Sequence, residues 1–205
     1  IITKILISSN IKKYFNTYID FIDHYWLKYF ELKDYRFFQI PNSIKLSKNY
    51  LKNFGEIDLI ILQGGNDIFS KEKNIQMRRK VEINLIKFGI NKKIPILGIC
   101  RGMQILNYFF GGKLNKIKGH MKVKHKVYLK NKFFNKKDLY VNSFHNYGIK
   151  KDSLSKHFET YAIDKGQNIE MFKHKKKNIY GIMWHPEREN DYKNLNLIIK
   201  KINSL

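Results

Sequence analysis

Several features that would mark a particular class of protein are scarce or missing in this sequence. A single cysteine, Cys100, excludes a disulfide within the chain and suits a reducing compartment. Only 3 prolines are present, and no repeat or low-complexity segment marks a linker between domains. No apolar run reaches the roughly 18 residues of a membrane span, and the opening IITKILISSN turns polar too soon for a signal peptide. We therefore expect a cytoplasmic protein with no membrane partner.

Acidic residues are also few, since 17 Asp and Glu stand against 40 Lys and Arg and leave a net charge of +23. Such a charge is typical of nucleic-acid binding. Here, however, the lysines are scattered among asparagines and isoleucines along the whole chain. The densest cluster, at 173–177, lies between two predicted strands, where it is most simply a solvated hairpin turn. We expect no nucleic-acid partner and consider an anionic small substrate a better match to the charge.

The length and the apolar content predict one packed core. With 205 residues, 43% of them hydrophobic, we expect a single domain over residues 1–205. In the N-terminal half, apolar runs alternate with helical periodicity, which is typical of a parallel sheet with crossover helices. The predicted strands there are 4–8, 37–40, 57–62 and 94–99. The predicted helices are 18–30, 45–54, 73–89 and one that follows Cys100. A loop at 8–10 is predicted to lead from the first strand to the first helix.

The sequence pattern changes beyond Gly111 and Gly112, where shorter segments alternate between apolar and polar residues. These predict strands at 123–129, 139–143, 158–163, 169–172 and 179–184, and a final helix at 192–202. The sequence therefore predicts an α/β fold with a central, mostly parallel sheet flanked by helices and a β-rich C-terminal half.

Cys100 lies where a buried strand is predicted to turn into a helix. Gly98 and Gly102 flank it two residues away on either side, a pattern that allows a tight turn to push a reactive side chain out of the sheet. The free N–H groups at the start of a helix favour the thiolate. A buried structural cysteine is the alternative for a lone thiol. The flanking glycines favour the nucleophile.

A thiolate nucleophile needs a base, and the base needs an acceptor that orients it. His185 follows the apolar strand 179–184, and Glu187 stands two residues further on with only Pro186 between them. The two side chains can point the same way, and the proline stiffens their link. A surface histidine beside a charged loop is the alternative. The pairing with the glycine-flanked cysteine favours a triad of Cys100, His185 and Glu187.

Another glycine pair, Gly64 and Gly65, lies in QGGND directly after the strand 57–62. At the carboxyl end of a buried strand, such glycines place bare backbone N–H groups where ligands of open α/β sheets bind. For an isolated pair of glycines, a plain tight turn is the simpler interpretation. The residues alone leave both interpretations open.

Four motifs in this order resemble the class I (triad-type) glutamine amidotransferase superfamily. They are QGGND (63–67), GICRGMQ (98–104), VNSFHNYGI (141–149) and GIMWHPE (181–187). The resemblance covers nearly the whole chain and implies a flavodoxin-like α/β fold, with Cys100 as nucleophile, His185 as base and Glu187 as its partner. It also implies an oxyanion hole from the N–H groups of Arg101 and Gly65. Residues implied to hold a γ-glutamyl group are Gly64, Gln104, Asn142, Ser143, Phe144, His145, Asn146 and Tyr147.

Several stretches are similar to one branch of this superfamily, the γ-glutamyl-GABA hydrolases of peptidase family C26. They are LQGGND, PILGICRGMQILNYFFGGKL, GHMKVKH and IDHYWLKYF followed by IPN. The small, Lys-rich chain also resembles hydrolases of bacterial capsule polysaccharide phosphoramidate pathways, which remove glutamate from a γ-glutamyl nucleotide amidate such as γ-glutamyl-CDP-amidate. The resemblance implies a cofactor-free hydrolase that cleaves a small, anionic γ-glutamyl amide through a thioester.

Other side chains near these motifs have less certain roles. The guanidinium of Arg101 could meet a carboxylate or phosphate of the substrate, or lie on the surface at the start of its helix. His120, His125 and His145 suggest a metal site, but no cysteine or acidic residue stands at a ligand spacing from them. We expect no metal, and we expect His145 to line the substrate pocket.

Two alternative functions remain open. The chain could be a glutaminase component that delivers ammonia to a separate synthetase, since it carries no ATP-binding motif. It could also be a basic binding protein without catalytic activity, in which case Cys100 would be dispensable. No feature of the sequence indicates an oligomeric state.

Overall fold

The computed structural model describes residues 3–189 and 192–203. Its strands in chain order are β1 (Lys4–Ser8), β2 (Asn10–Tyr14), β3 (Thr17–Phe21), β4 (Arg36–Ile40), β5 (Leu59–Leu62), β6 (Ile96–Ile99), β7 (Asn115–Lys116), β8 (Met121–Leu129), β9 (Asp138–Phe144), β10 (Tyr147–Gly148), β11 (Phe158–Asp164), β12 (Ile169–His174) and β13 (Ile179–Ile182). Its α-helices are α1 (His24–Leu32), α2 (Ile44–Asn53), α3 (Lys73–Lys92), α4 (Arg101–Phe109) and α5 (Lys193–Asn203), and short 3₁₀ turns cover Lys151–Ser153 and Pro186–Arg188.

Nine of the described strands form one mixed sheet, in the order β4-β1-β5-β6-β13-β12-β11-β8-β9. The first five in this order are parallel to one another, and the remaining four continue the sheet in antiparallel fashion. All of the antiparallel additions come from the C-terminal half of the chain. The predicted α/β fold, with a mostly parallel central sheet and a β-rich C-terminal half, is therefore confirmed.

Two hydrophobic cores cover the two faces of the sheet. Successive side chains of a strand point to opposite faces, so Ile5 of β1 packs in one core with Trp26 of α1 and Leu195 of α5. Its neighbour Leu6 packs in the other core with Val81 of α3. The strands β5, β6 and β13 are buried along their whole length, as expected for parallel strands covered on both faces.

The predicted helix at 18–30 is wrong in its first part. Residues 10–21 form a hairpin of β2 and β3, which turns at Phe15 with a φ of 48°, and the helix begins only after Asp23. Asp23 accepts a hydrogen bond from the N–H of Tyr25, which caps the helix. Residues such as Ile19 and Phe21 favour strands, so the helical spacing of the aromatic residues before Asp23 is coincidental.

The remaining predicted elements lie close to the observed ones. β1 begins and ends as predicted, and the lysine-rich segment at 173–177 contains the turn that joins the antiparallel strands β12 and β13. The strand predicted at 179–184 ends at Ile182, so the last two residues belong to the connection that carries His185. Within the described residues, no helix is both long enough and apolar enough to cross a membrane.

Candidate active site

Three neighbouring parallel strands bring the predicted site together. β6 lies between β5 and β13 in the sheet. Cys100 follows β6, Gly64 follows β5 at a distance of two residues, and His185 follows β13 at a distance of three. Because the carboxyl ends of parallel strands meet at the same edge of a sheet, these residues converge there.

Cys100 adopts the strained backbone conformation that the flanking glycines were predicted to allow. Its φ of 50° and ψ of −103° are unusual for a residue other than glycine, and its N–H donates to the carbonyl of Ile182 at 2.7 Å. A Cβ on Gly98 would lie 2.5 Å from the backbone of Gly102, and one on Gly102 would overlap the carbonyl oxygen of Leu62. Both glycines are therefore needed for the turn to pack against β5 and α4.

Cys100, His185 and Glu187 form one connected arrangement. The Nδ1 of His185 is 2.7 Å from Glu187 Oε1, and the side chains of His185 and Cys100 both lie against Gly64. All three residues are buried. Burial opposes a charge on the imidazole, but the carboxylate of Glu187 and the negative charge of Cys100 outweigh it and raise the pKa of His185 to about 10. These charges therefore favour the protonated, imidazolium form of His185.

The backbone of His185 is fixed by Asn142, one of the residues implied to bind the substrate. The N–H of His185 donates to Asn142 Oδ1 at 2.8 Å, and Asn142 Nδ2 donates back to the carbonyl of His185 at 2.9 Å. The ring of Phe144 contacts the imidazole edge to face, with centroids 5.7 Å apart. Arg188 covers Phe144 from 5.0 Å. These residues position the base.

The loop predicted to supply part of the oxyanion hole approaches the site through Gly64. A Cβ on Gly64 would be 2.6 Å from Cε1 of His185 and 3.5 Å from Cβ of Cys100, so this backbone approaches both side chains closely. Gly65 has a φ of +120°, which only glycine adopts easily. Arg101 is the first residue of α4, and its N–H therefore has no acceptor within the helix.

The guanidinium of Arg101 is buried and forms an ion pair with Glu82, so it does not lie on the surface at the start of its helix. Its contact with a carboxylate or phosphate of the substrate stays a prediction. Glu82 also pairs with Arg78, whose Nη2 donates to the carbonyls of Gln63 at 2.8 Å and Gly64 at 2.9 Å. This buried chain of charges connects the start of α4 with the glycine loop. Neither Arg78 nor Glu82 stands in a recognisable sequence motif, so their place beside the site was not predicted.

Three further residues implied to hold a γ-glutamyl group, Gln104, Ser143 and Asn146, form hydrogen bonds within the protein. Gln104 donates to the carbonyl of Tyr147 at 2.9 Å, close to the turn that carries Cys100. Ser143 Oγ instead donates to the carbonyl of His120 at 2.7 Å, and Asn146 accepts the N–H of Ile117 through its carbonyl. Ser143 is fully buried. Ser143 and Asn146 therefore help to hold the segment 142–147 in place.

Acidic partners for the histidines are present, contrary to the spacing argument. One ligating atom from each of His120, His125, Asp164 and Glu170 lies within 4.8 Å of the others. His145, which was expected to line the substrate pocket, points its Nε2 at Glu170 Oε1 from 3.9 Å. Asp164 and Glu170 are remote from the histidines in sequence, so spacing gave no indication of them. In the described part of the chain, His120, His125, Asp164 and Glu170 are the side chains grouped closely enough to hold a metal ion.

Comparisons with known proteins show what this chain is similar to. The family model described as glutamine amidotransferase class-I matches residues 18–203. The γ-glutamyl-CDP-amidate hydrolase of Campylobacter jejuni is 37% identical over 164 residues, which cover 79% of this chain and 77% of that protein. A component of the glutamine-hydrolyzing GMP synthase of Methanococcus aeolicus is 32% identical over 154 residues, or 72% of this chain and 73% of that protein.

Solved structures share the fold over nearly the entire chain. A protein of Thermoplasma acidophilum superposes with a TM-score of 0.73 at 24% identity and covers 99% of this chain and 94% of its own. A glutamine amidotransferase of Thermotoga maritima superposes with a TM-score of 0.66 at 17% identity and covers 98% and 83%. At these identities the likeness concerns the fold.

Proposed function

Because this chain belongs to the class I glutamine amidotransferase family, we propose that it hydrolyses the γ-glutamyl amide bond of a small, anionic substrate through a thioester on Cys100. The observation that carries this proposal is the buried arrangement in which His185 links the thiol of Cys100 to the carboxylate of Glu187. The proposed nucleophile then lies beside the proposed base, whose orienting group is in hydrogen-bond contact with it, as this chemistry requires.

In the first step the thiolate of Cys100 attacks the γ-carbonyl carbon, and the carbonyl oxygen takes up the negative charge. The N–H groups of Arg101 and Gly65 stabilise that charge. When the tetrahedral intermediate collapses, the C–N bond breaks, and the imidazolium of His185 gives its proton to the leaving nitrogen. The amine departs, and a γ-glutamyl thioester remains on Cys100.

In the second step water replaces the amine. The neutral His185 takes a proton from the water as the oxygen attacks the thioester carbon, and collapse of this second intermediate releases glutamate and the thiolate. His185 is again an imidazolium. Glu187 keeps the same face of the ring toward Cys100 in both steps, and Asn142 holds the backbone of His185.

The leaving group is inferred from similarity and charge. The relative from Campylobacter jejuni is named for γ-glutamyl-CDP-amidate, a nucleotide conjugate with negative phosphates. This chain carries a net charge of +23, which attracts anionic substrates. Both facts support a phosphate-bearing leaving group, and γ-glutamyl-CDP-amidate is the first substrate to test.

A second candidate is a glutaminase component of a larger enzyme, favoured by the 32% identity to part of a GMP synthase. The same triad would then release ammonia from glutamine for a separate synthetase. The two candidates share their chemistry and differ in the leaving group and in the need for a partner.

The test compares substrates for the purified chain alone. Glutamate release is measured with γ-glutamyl-CDP-amidate, with a γ-glutamyl anilide whose leaving group is neutral, and with glutamine. We expect kcat/KM to be highest for the nucleotide amidate and lowest for glutamine. Equal kcat/KM for the nucleotide amidate and the anilide would contradict an anionic leaving group. Glutamine hydrolysis that appears only with a synthetase would support the second candidate.

The Cys100→Ala variant tests whether the chain is an enzyme at all. We expect a loss of at least about 10³-fold in turnover, because a triad loses nearly all its rate without the nucleophile. Acid quenching of the wild type during turnover should leave one γ-glutamyl group on the peptide that contains Cys100, detected by mass spectrometry. Full activity in Cys100→Ala would overturn the thioester mechanism.

A further inference from the structure

A second cluster of ionisable side chains lies outside the arrangement that the proposed hydrolysis uses. We call His120, His125, Asp164 and Glu170 the histidine-carboxylate cluster. Three neighbouring antiparallel strands assemble it: β8 carries His125 and follows closely after His120, β11 ends at Asp164, and β12 contains Glu170. Asp164 pairs in register with Val127 of β8, which places the carboxylate beside both histidines.

Glu170 is the most unusual member, since it is fully buried and neither of its carboxylate oxygens has a hydrogen-bond partner. Three histidine nitrogens face it, His125 Nε2 at 3.7 Å from Oε2 and the Nε2 atoms of His120 and His145 at 3.9 Å from Oε1, and all are too distant for hydrogen bonds. A buried carboxylate without hydrogen-bond partners costs free energy. We therefore expect a bound group in the gap between Glu170 and the histidines.

The histidines present free ring nitrogens toward this gap. The Nε2 atoms of His125 and His145 have no hydrogen-bond partner, although both are buried. His145 Nδ1 lies 3.0 Å from the carbonyl of Tyr147, so the ring donates there and keeps its Nε2 lone pair free. His120 Nδ1 also lies 3.0 Å from a carbonyl, that of Lys118, while its Nε2 lies 2.7 Å from Asp164 Oδ2. Such a bond from Nδ1 to a backbone carbonyl is typical of histidines that bind metal through Nε2.

We propose that the histidine-carboxylate cluster binds one divalent transition-metal cation of the zinc type. Two imidazole nitrogens and two carboxylate oxygens are a donor set that Zn²⁺ accepts. Tetrahedral bonds of about 2.0–2.1 Å place neighbouring donor atoms roughly 3.3–3.4 Å apart. The observed separations, 2.7 Å between His120 Nε2 and Asp164 Oδ2 and 3.7–3.9 Å around Glu170, lie on either side of this value.

Charge and outer contacts support the same conclusion. A divalent cation would neutralise the two buried carboxylates. Asp164 is already oriented from outside, because the N–H of Asn168 donates to its Oδ1 at 2.7 Å and the Asn168 amide donates to its Oδ2 at 2.8 Å. Fixing the orientation of a ligand in this way is typical of metal sites.

The cation would serve a structural role, because four protein ligands close its coordination shell. It would connect β8, β11 and β12. Through the bond from Ser143 to the carbonyl of His120, it would also stabilise the segment 142–147, which includes Asn142 beside His185. The site therefore supports the region that positions the proposed base without touching a substrate.

The test measures metal content in the untagged chain. After incubation with excess Zn²⁺ and removal of the free ion, elemental analysis should find about one zinc per chain. Replacing zinc by Co²⁺ should give the visible absorption of a low-symmetry cobalt site. Glu170→Gln and His125→Asn should each lose both results. The matched controls Glu159→Gln and His157→Asn, which change exposed residues of the same types, should keep them.

His125→Asn guards against a variant that does not fold, because the His125 side chain is 19% exposed. A folded wild type with less than about 0.1 zinc per chain and no cobalt spectrum would overturn the site. Equal zinc content in Glu170→Gln and Glu159→Gln would do the same, since the metal would then be bound at the surface. None of these readouts uses γ-glutamyl hydrolysis, so they stand whether or not the proposed function holds.

Discussion

This molecule contains two buried histidine-carboxylate pairs whose contact distances are equal and whose surroundings differ. His185 Nδ1 is 2.7 Å from Glu187, and His120 Nε2 is 2.7 Å from Asp164. The first pair is two residues apart in sequence, at the end of a parallel strand. The second is 44 residues apart and is assembled across antiparallel strands.

The difference between the pairs lies at the other ring nitrogen. In His185 the remaining nitrogen is available to the thiol of Cys100, so the pair can move a proton to and from a nucleophile. In His120 the remaining nitrogen is occupied by the carbonyl of Lys118. A contact between histidine and carboxylate therefore does not define a catalytic site, whereas the partner of the second nitrogen does.

The largest expected effect is a change in kcat that distinguishes His185 from the histidine-carboxylate cluster. His185→Asn removes the proposed base, and we expect kcat to fall by about 10⁴-fold, as when a triad histidine is lost. His125→Asn changes the other site, and kcat should stay within about tenfold because His125 is not part of the proposed triad. Both are measured by glutamate release, with folding checked by circular dichroism. Comparable losses in the two variants would break the distinction between the pairs.

A smaller effect is expected from the carboxylate. Glu187→Gln should lower kcat by about 10³-fold, because the amide no longer stabilises the imidazolium. It should also lower the pKa of His185, so the alkaline limb of the kcat/KM profile should move to lower pH. Asp164→Asn is the control and should leave the position of that limb unchanged. A limb that moves equally in both variants would contradict the assignment of His185.

The glycine loop gives the third effect. In Gly64→Ala, the new methyl group would lie 2.6 Å from the His185 ring, so the ring must shift away from Cys100. We expect kcat to fall by about 10²-fold, the size typical of a misplacement near 1 Å. Gly55→Ala is the matched control, because nothing lies within 4 Å of its added Cβ. If Gly64→Ala kept wild-type kcat, the loop would not be part of the site.

The parts of the site that were predictable depend on local patterns. Buried apolar runs identify β5, β6 and β13, and parallel pairing brings their ends to one edge. Cys100 between its glycines and His185 before Glu187 then follow from short motifs. Even the strained φ of Cys100 was implied by the glycines two residues away on either side.

The remaining features depend on contacts between distant residues. Arg78 and Glu82 are four residues apart in α3, a spacing typical of exposed ion pairs. Their burial results from Arg101, Asn10 and the carbonyls of the glycine loop, which no local pattern relates to α3. Asp164 and Glu170 meet the histidines for the same reason, only through the pairing of β8, β11 and β12. The hairpin at 10–21 was missed because its aromatic residues repeat at helical spacing by chance.

The smallest effect concerns stability and compares His185 with a third buried histidine. The folded pKa of His185, about 10, is higher than its ordinary value of 6.5, so its charge stabilises the folded state most fully below about pH 6.5. This contribution should be lost as the pH rises toward about 10. Urea unfolding should therefore show wild-type stability falling over this range more steeply than that of His185→Asn.

His174 should show the opposite slope. Its Nδ1 accepts the N–H groups of Lys176 at 3.0 Å and Lys177 at 3.2 Å, and burial together with the charge of His157 lowers its pKa to about 4. Protonation of His174 is thus resisted in the folded state, and stability should fall as the pH drops from about 6.5 toward about 4. His174→Asn should flatten this acid limb and leave the alkaline limb unchanged. If His174→Asn also flattened the alkaline limb, the loss of stability toward pH 10 would not report the ion pair of His185 and Glu187.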